Sequence, residues 1–119
     1  CAAAVATLCV IKEEKLLDNV NARSEQLLSG LQKLQQDFHG IGDVRGKGLM
    51  VATEFTQDGE PDTATSKAVV KASFERGLML LTCGTYDNTI RWIPPLNVTE
   101  GQIRDGLQIF ENALKEVIK

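Results

Sequence analysis

Apolar positions in the first third of the chain recur at helical spacing: Leu27, Leu31, Leu34 and Phe38 fall at four-three-four intervals, and no proline interrupts residues 1–38. The pattern predicts helix from Cys1 to Phe38. A bend is expected in "LLDNVN", where Asp18, Asn19 and Asn21 are weaker helix formers suited to caps and turns, and Gly40 suits the C-terminal cap. The period then changes. "IGDVRGKGLMVATEF" alternates and is β-branched around Gly46 and Gly48, which predicts two strands joined at a glycine bend over about 42–55. "TQDGEPD" reads as a polar loop, and helix returns over 63–76 with Asp62 or Thr63 as N-cap and Gly77 as its stop. "LMLLT", about 78–82, is a short buried strand. "TIRWI", about 89–93, is another that buries Ile90, Trp92 and Ile93, and the prolines of "PPL" end it by removing ladder donors.

The last helix, 99–118, has the clearest signature. Thr99 and Gln102 match a T-x-x-Q capping box, Val98 and Ile103 hold the staple positions, and Ile103, Leu107, Phe110, Leu114 and Val117 make one apolar stripe. Helix, two strands, helix, two strands, helix is the order of an α+β, two-layer fold: a small, largely antiparallel sheet packed against helices. With 119 residues, 43% of them apolar, one domain over 1–119 can bury an ordinary core without metals or disulfides.

Charge narrows the partners. A net charge of -3 and an isoelectric point near 5.1 leave no basic stripe to follow a phosphate backbone, which argues against nucleic acid. Cys1, Cys9 and Cys83 form neither a C-x-x-C pair nor a zinc spacing, as expected of a reducing, cytoplasmic setting. The apolar opening "CAAAVATLCVI" is too short to span a membrane and lacks a basic leader. Such an opening helix reads as part of something larger that covers it.

Most candidate motifs have structural explanations. "GIGDVRGKG" has Ile41 where a P-loop needs glycine and Gly48 where it needs Ser or Thr, and Arg45 stands where a dinucleotide fingerprint needs its third glycine. His39, the only histidine, sits at a helix end, where it can meet terminal carbonyls. With one histidine and no cysteine beside a base, neither a nucleophilic triad nor a zinc-bound water can be assembled, so no catalytic and no metal-ligating residue is assigned. Asp58, Glu60 and Asp62 lack the calcium-loop pattern and read as a solvated turn. "NVT" at Asn97 matches a glycosylation sequon whose Thr99 is already explained as a cap.

Arg91 stands apart, because an arginine in an apolar strand loses hydration unless an anion meets it. Two readings stay open: an edge-strand arginine paired with a nearby carboxylate, or a fork that holds a ligand carboxylate bidentately. "CGTYDN", with Gly84 and Thr85, places a polar loop beside that strand, where binding groups commonly sit.

Over all 119 positions the chain resembles the C-terminal domain of class III pyridoxal-phosphate aminotransferases of fold type I, nearest the 4-aminobutyrate aminotransferase group. "CAAAVATLCVI" is similar to the helix that follows the family's cofactor-binding domain, and "IGDVRGKGLMVATEF" to its glycine-bend strand pair. "ERGLMLLTCGTYDNTIRWIPPLNVTEGQI" is the most specific part. The resemblance implies that Arg91 binds the carboxylate of small amino acid and 2-oxo acid substrates and carries that role onto Arg91 alone, while Gly84 and Thr85 belong to the active-site loop read from the residues beside the strand. It implies a homodimeric parent that binds pyridoxal phosphate through a separate N-terminal domain. No lysine here takes the Schiff-base role, so this chain alone is expected neither to hold the cofactor nor to transaminate. Two other classes remain: a stand-alone module that senses amino or keto acids through Arg91, and a purely structural domain. A self-sufficient module should cover the face of "CAAAVATLCVI" with its own residues, whereas part of a larger enzyme should leave it bare.

Overall fold

The computed structural model describes residues 1–118. Their elements are α1 (Ala2–Glu13), α2 (Leu16–Asp37), β1 (Ile41–Lys47), β2 (Met50–Gln57), β3 (Glu60–Pro61), α3 (Thr63–Glu75), β4 (Leu81–Cys83), β5 (Thr89–Trp92) and α4 (Glu100–Val117).

The single helix expected over 1–38 is two helices, and the break lies at Glu14–Lys15 instead of within "LLDNVN". Lys15 adopts the left-handed conformation, φ 51° and ψ 41°, between α1 and α2. Asn19 stays helical because its side chain is used at long range: Nδ2 donates to the carbonyls of Leu96 and Val98 at 2.8 and 3.0 Å. Gly40 is not the cap of α2, which closes on Phe38 in extended backbone.

All strand pairs are antiparallel, in the order β1-β2-β5-β4, and the small sheet with four helices is the α+β, two-layer architecture read from the pattern. The glycine bend is a tight hairpin in which Lys47 pairs with Met50. Gly48, at φ 57°, supplies the positive dihedral that the first residue of such a two-residue turn needs. The polar loop "TQDGEPD" contains a further strand, since β3 folds back on Thr56 and Gln57. β4 is shorter than 78–82 and starts only at Leu81.

Helices α2, α3 and α4 cover one face of the sheet, where Leu27, Leu31, Phe110 and Leu114 meet Phe55 and Ile90. The Trp92 and Phe110 rings pack edge to face, with centroids 4.9 Å apart. Because strands alternate and the other face carries no helix, two expected burials are corrected. Met79, Leu81 and Ile93 point outward and are 74%, 57% and 61% exposed, so neither "LMLLT" nor "TIRWI" is buried on both sides.

The capping box is present: the Thr99 hydroxyl accepts from Gln102 N–H at 3.2 Å, and the Gln102 side chain accepts from Thr99 N–H at 2.9 Å. Thr99→Ala should cost about 1 kcal/mol. Urea melts of the two forms check this, and coincident midpoints with equal slopes would show that the cap contributes nothing to α4.

Candidate functional site

Arg91 stands in the middle of β5, and the strand order makes β5 an interior strand between β2 and β4, not an edge. Its neighbours Ile90 and Trp92 turn into the core, so Arg91 faces the open side and is exposed. Registers carry its position across the whole sheet. Arg45, Ala52, Arg91 and Leu81 form one outward row, and Asp43, Glu54, Thr89 and Cys83 form the next on the same face, where Thr89 is buried.

The two arginines of the first row differ in their surroundings. Arg45 Nη1 lies 2.5 Å from Asp43 Oδ2 and 2.6 Å from Glu54 Oε2. Hydrogen bonds first from Asp43 and then from Glu54 push its pKa above the ordinary arginine value, against the opposing effect of burial, so it stays charged. Among the described residues, Arg91 makes no salt bridge. That outcome removes the local ion pair that a structural arginine would have.

Beside Arg91 opens a groove of about 480 Å³ between the open end of the β4–β5 hairpin and α4, lined by Leu78, Leu81, Ile93, Pro94 and Ile103 among others. Among the described residues, Arg91 is the only charged one on its wall. An apolar wall with one guanidinium suits a carboxylate carried on a short aliphatic chain, because the fork donates two parallel N–H bonds and low polarity strengthens both.

Gly84 and Thr85 lie at the closed end of the same hairpin and do not line the groove. Their loop is held firmly. Gly84 takes φ 86°, Ser66 Oγ donates to the Asp87 carbonyl at 2.6 Å, Lys67 pairs with Asp87 at 3.2 Å, and Thr63 Oγ1 donates to the Tyr86 carbonyl. Asn88, 3% exposed, donates from Nδ2 to the Phe55 carbonyl at 2.9 Å, while its own carbonyl accepts from Phe55 N–H at 2.8 Å. The carboxamide thus fills the ladder position of a backbone donor where the chain leaves the sheet.

Sequence reasoning missed Arg45, Glu54 and Asn88. Alternation could have placed Asp43, Arg45 and Glu54 on one face, but only the registers show that the face is Arg91's. The remaining candidates have structural roles or none. Asp62 caps α3, accepting from Thr65 N–H at 2.9 Å and from Thr65 Oγ1 at 2.6 Å. His39 is exposed. Among the described residues no group of three or more His, Cys, Asp or Glu could hold a metal ion, and no helix is long and apolar enough to cross a membrane.

A cofactor aldehyde needs a lysine amine beside the substrate site. Every described lysine is exposed and none lines the groove.

The chain is 43% identical to a 5-aminovalerate aminotransferase of Pseudomonas putida over 98% of its length, and 38% identical to the 4-aminobutyrate aminotransferase of Escherichia coli over the same share. It spans 28% of the length of each of those enzymes. Among solved structures, it matches an acetylornithine aminotransferase from Elizabethkingia anophelis with a TM-score of 0.86 at 35% identity, covering 98% of this chain and 29% of that one. An Arthrobacter phospholyase in complex with phosphoethanolamine matches with a TM-score of 0.92 at 25% identity, covering 96% of this chain and 28% of that one. The family described as Aminotransferase class-III matches residues 1–114, and the chain belongs to this pyridoxal-phosphate-dependent family.

Proposed function

We propose that this chain is the C-terminal domain, a single unit over 1–119, of a transaminase that moves an amino group between 4-aminobutyrate or a related ω-amino acid and a 2-oxo acid. Arg91 is its carboxylate clamp. The observation that carries this reading is an arginine on an interior strand, at the rim of an apolar groove, with no carboxylate of its own among the described residues. The fork fixes the substrate's acid end, which turns its reacting end toward the rest of the enzyme and replaces a random encounter by an oriented one. Gly84 and Thr85 then belong to a rigid loop one hairpin length from the clamp. Pyridoxal phosphate and the lysine that carries it belong to the N-terminal part of the parent, and this chain alone is inactive.

The bare α1 supports a covering partner over a self-sufficient module: the helix has no buried residue, and Val5 and Leu8 are 60% and 68% exposed. On this reading the cover is the cofactor-binding domain together with a second copy in a homodimer. The unpaired cysteines agree with a cytoplasmic enzyme.

Inhibition by simple acids tests the clamp. A short aliphatic carboxylate without an amine should compete with substrate in the full-length enzyme, and Arg91→Ala should raise its inhibition constant by at least about tenfold, the loss of a modest charge-assisted pair. An unchanged inhibition constant would show that the acid binds elsewhere.

A further inference from the structure

Among the described residues of the flanking strands, Arg91 has one carboxylate within cross-strand reach. On β2 and β4, which flank it, the outward positions beside Arg91 and its row are Met50, Ala52, Glu54, Leu81 and Cys83, and only Glu54 is acidic. Glu54 lies opposite Thr89, two residues along β5 from Arg91. That diagonal is about 7–8 Å between Cα atoms, a gap that long side chains span. A glutamate and an arginine so placed would be expected to pair and occupy the clamp.

They do not pair, because Glu54 is held from the other side. Arg45 Nη1 takes its Oε2 at 2.6 Å, and Asn88 Nδ2 approaches its Oε1 at 3.4 Å. Asp43, at 2.5 Å from the same Nη1, holds Arg45 in that position. Between the two arginines stands Ala52, whose methyl group offers neither of them a partner.

We propose that Arg45 is a positioning residue for the clamp: by holding Glu54 toward β1, it keeps that carboxylate from closing on Arg91 and leaves the guanidinium open to the substrate's acid group. The proposal rests on the reading of Arg91 as the clamp. Arg45 touches no substrate and acts through Glu54. Its loss would create an internal competitor, which saturating substrate displaces, so the effect falls on KM and spares kcat.

The experiment uses the full-length enzyme. Arg45→Met should raise KM for carboxylate-bearing substrates by about tenfold, leave kcat within about twofold, and leave an amine without a carboxylate unaffected. Adding Glu54→Gln should restore KM, because the competitor is gone. Adding Asp43→Asn in place of Glu54→Gln removes the same charge from the next strand and should restore nothing. Equal restoration by both would mean a general field effect and would overturn the proposal, as would an Arg45→Met variant that weakens both kinds of substrate alike. Arg45 is half exposed on the edge strand β1, so folding is not at stake, and Arg45→Gln provides a second variant with the same expectation. Arg91→Lys separates the two levels of the argument. If it treats acid and non-acid substrates alike, the clamp itself is refuted. If it discriminates while Arg45→Met does not, only the role of Arg45 is.

Discussion

Arg91→Lys in the full-length enzyme is expected to lower kcat/KM for amino acid and 2-oxo acid substrates by at least about tenfold, equivalent to roughly 1.4 kcal/mol of transition-state binding. Lysine keeps the charge and loses the planar fork, so the variant separates geometry from charge. The strand context sharpens the test. With Ala52 and Leu81 as its cross-strand neighbours, a lysine at this position gains no new carboxylate and breaks no existing pair. Cofactor binding should persist, and an amine lacking a carboxylate should be nearly unaffected. Should the variant instead lose stability while the folded enzyme keeps normal kcat/KM for every substrate, Arg91 is a structural residue.

Phe110→Ala is expected to cost about 3–5 kcal/mol, a large part of the roughly 5–15 kcal/mol that holds a typical domain together. Phe110 is fully buried on α4 and its ring meets the face or edge of Trp92, so truncation removes an aromatic pair as well as leaving a void. Trp92 follows Arg91 directly in β5, which links this core contact to the site: the void opens on the underside of the strand that carries Arg91. Denaturant melts followed by fluorescence of Trp92, the only tryptophan in the sequence, measure the loss. A cost below about 1 kcal/mol would mean that the neighbouring leucines close the space and that β5 does not depend on this contact.

Local chemistry made part of the molecule legible. Leu27, Leu31 and Leu34 point into the core at the spacing that announced them, and Thr99 and Gln102 form the box that their separation of three residues predicts. These features need only one helix and its nearest neighbours. The helix break was misplaced because Asn19 has two possible uses, and a local window sees only its tendency to cap. Its actual partners, the carbonyls of Leu96 and Val98, lie far along the chain. The same limit explains Met79, Leu81 and Ile93, whose apolar character suggests burial although no helix among the described residues covers their side of the sheet.

By itself, then, the sequence determined the α+β class, the apolar stripes of α2 and α4, the capped start of α4 and, through its resemblance to the class III aminotransferases, its family. Each is written in residue spacing or in motif identity. Only the tertiary structure decided that β5 is interior, that Arg91 shares an outward row with Arg45, that Glu54 is bound to Arg45, and that an apolar groove opens beside the Arg91 guanidinium. The physical reason is that strand order and register are set by hydrogen bonds between distant segments and by which face the helices bury, so a side chain's neighbours across a sheet are not encoded in its own stretch of chain.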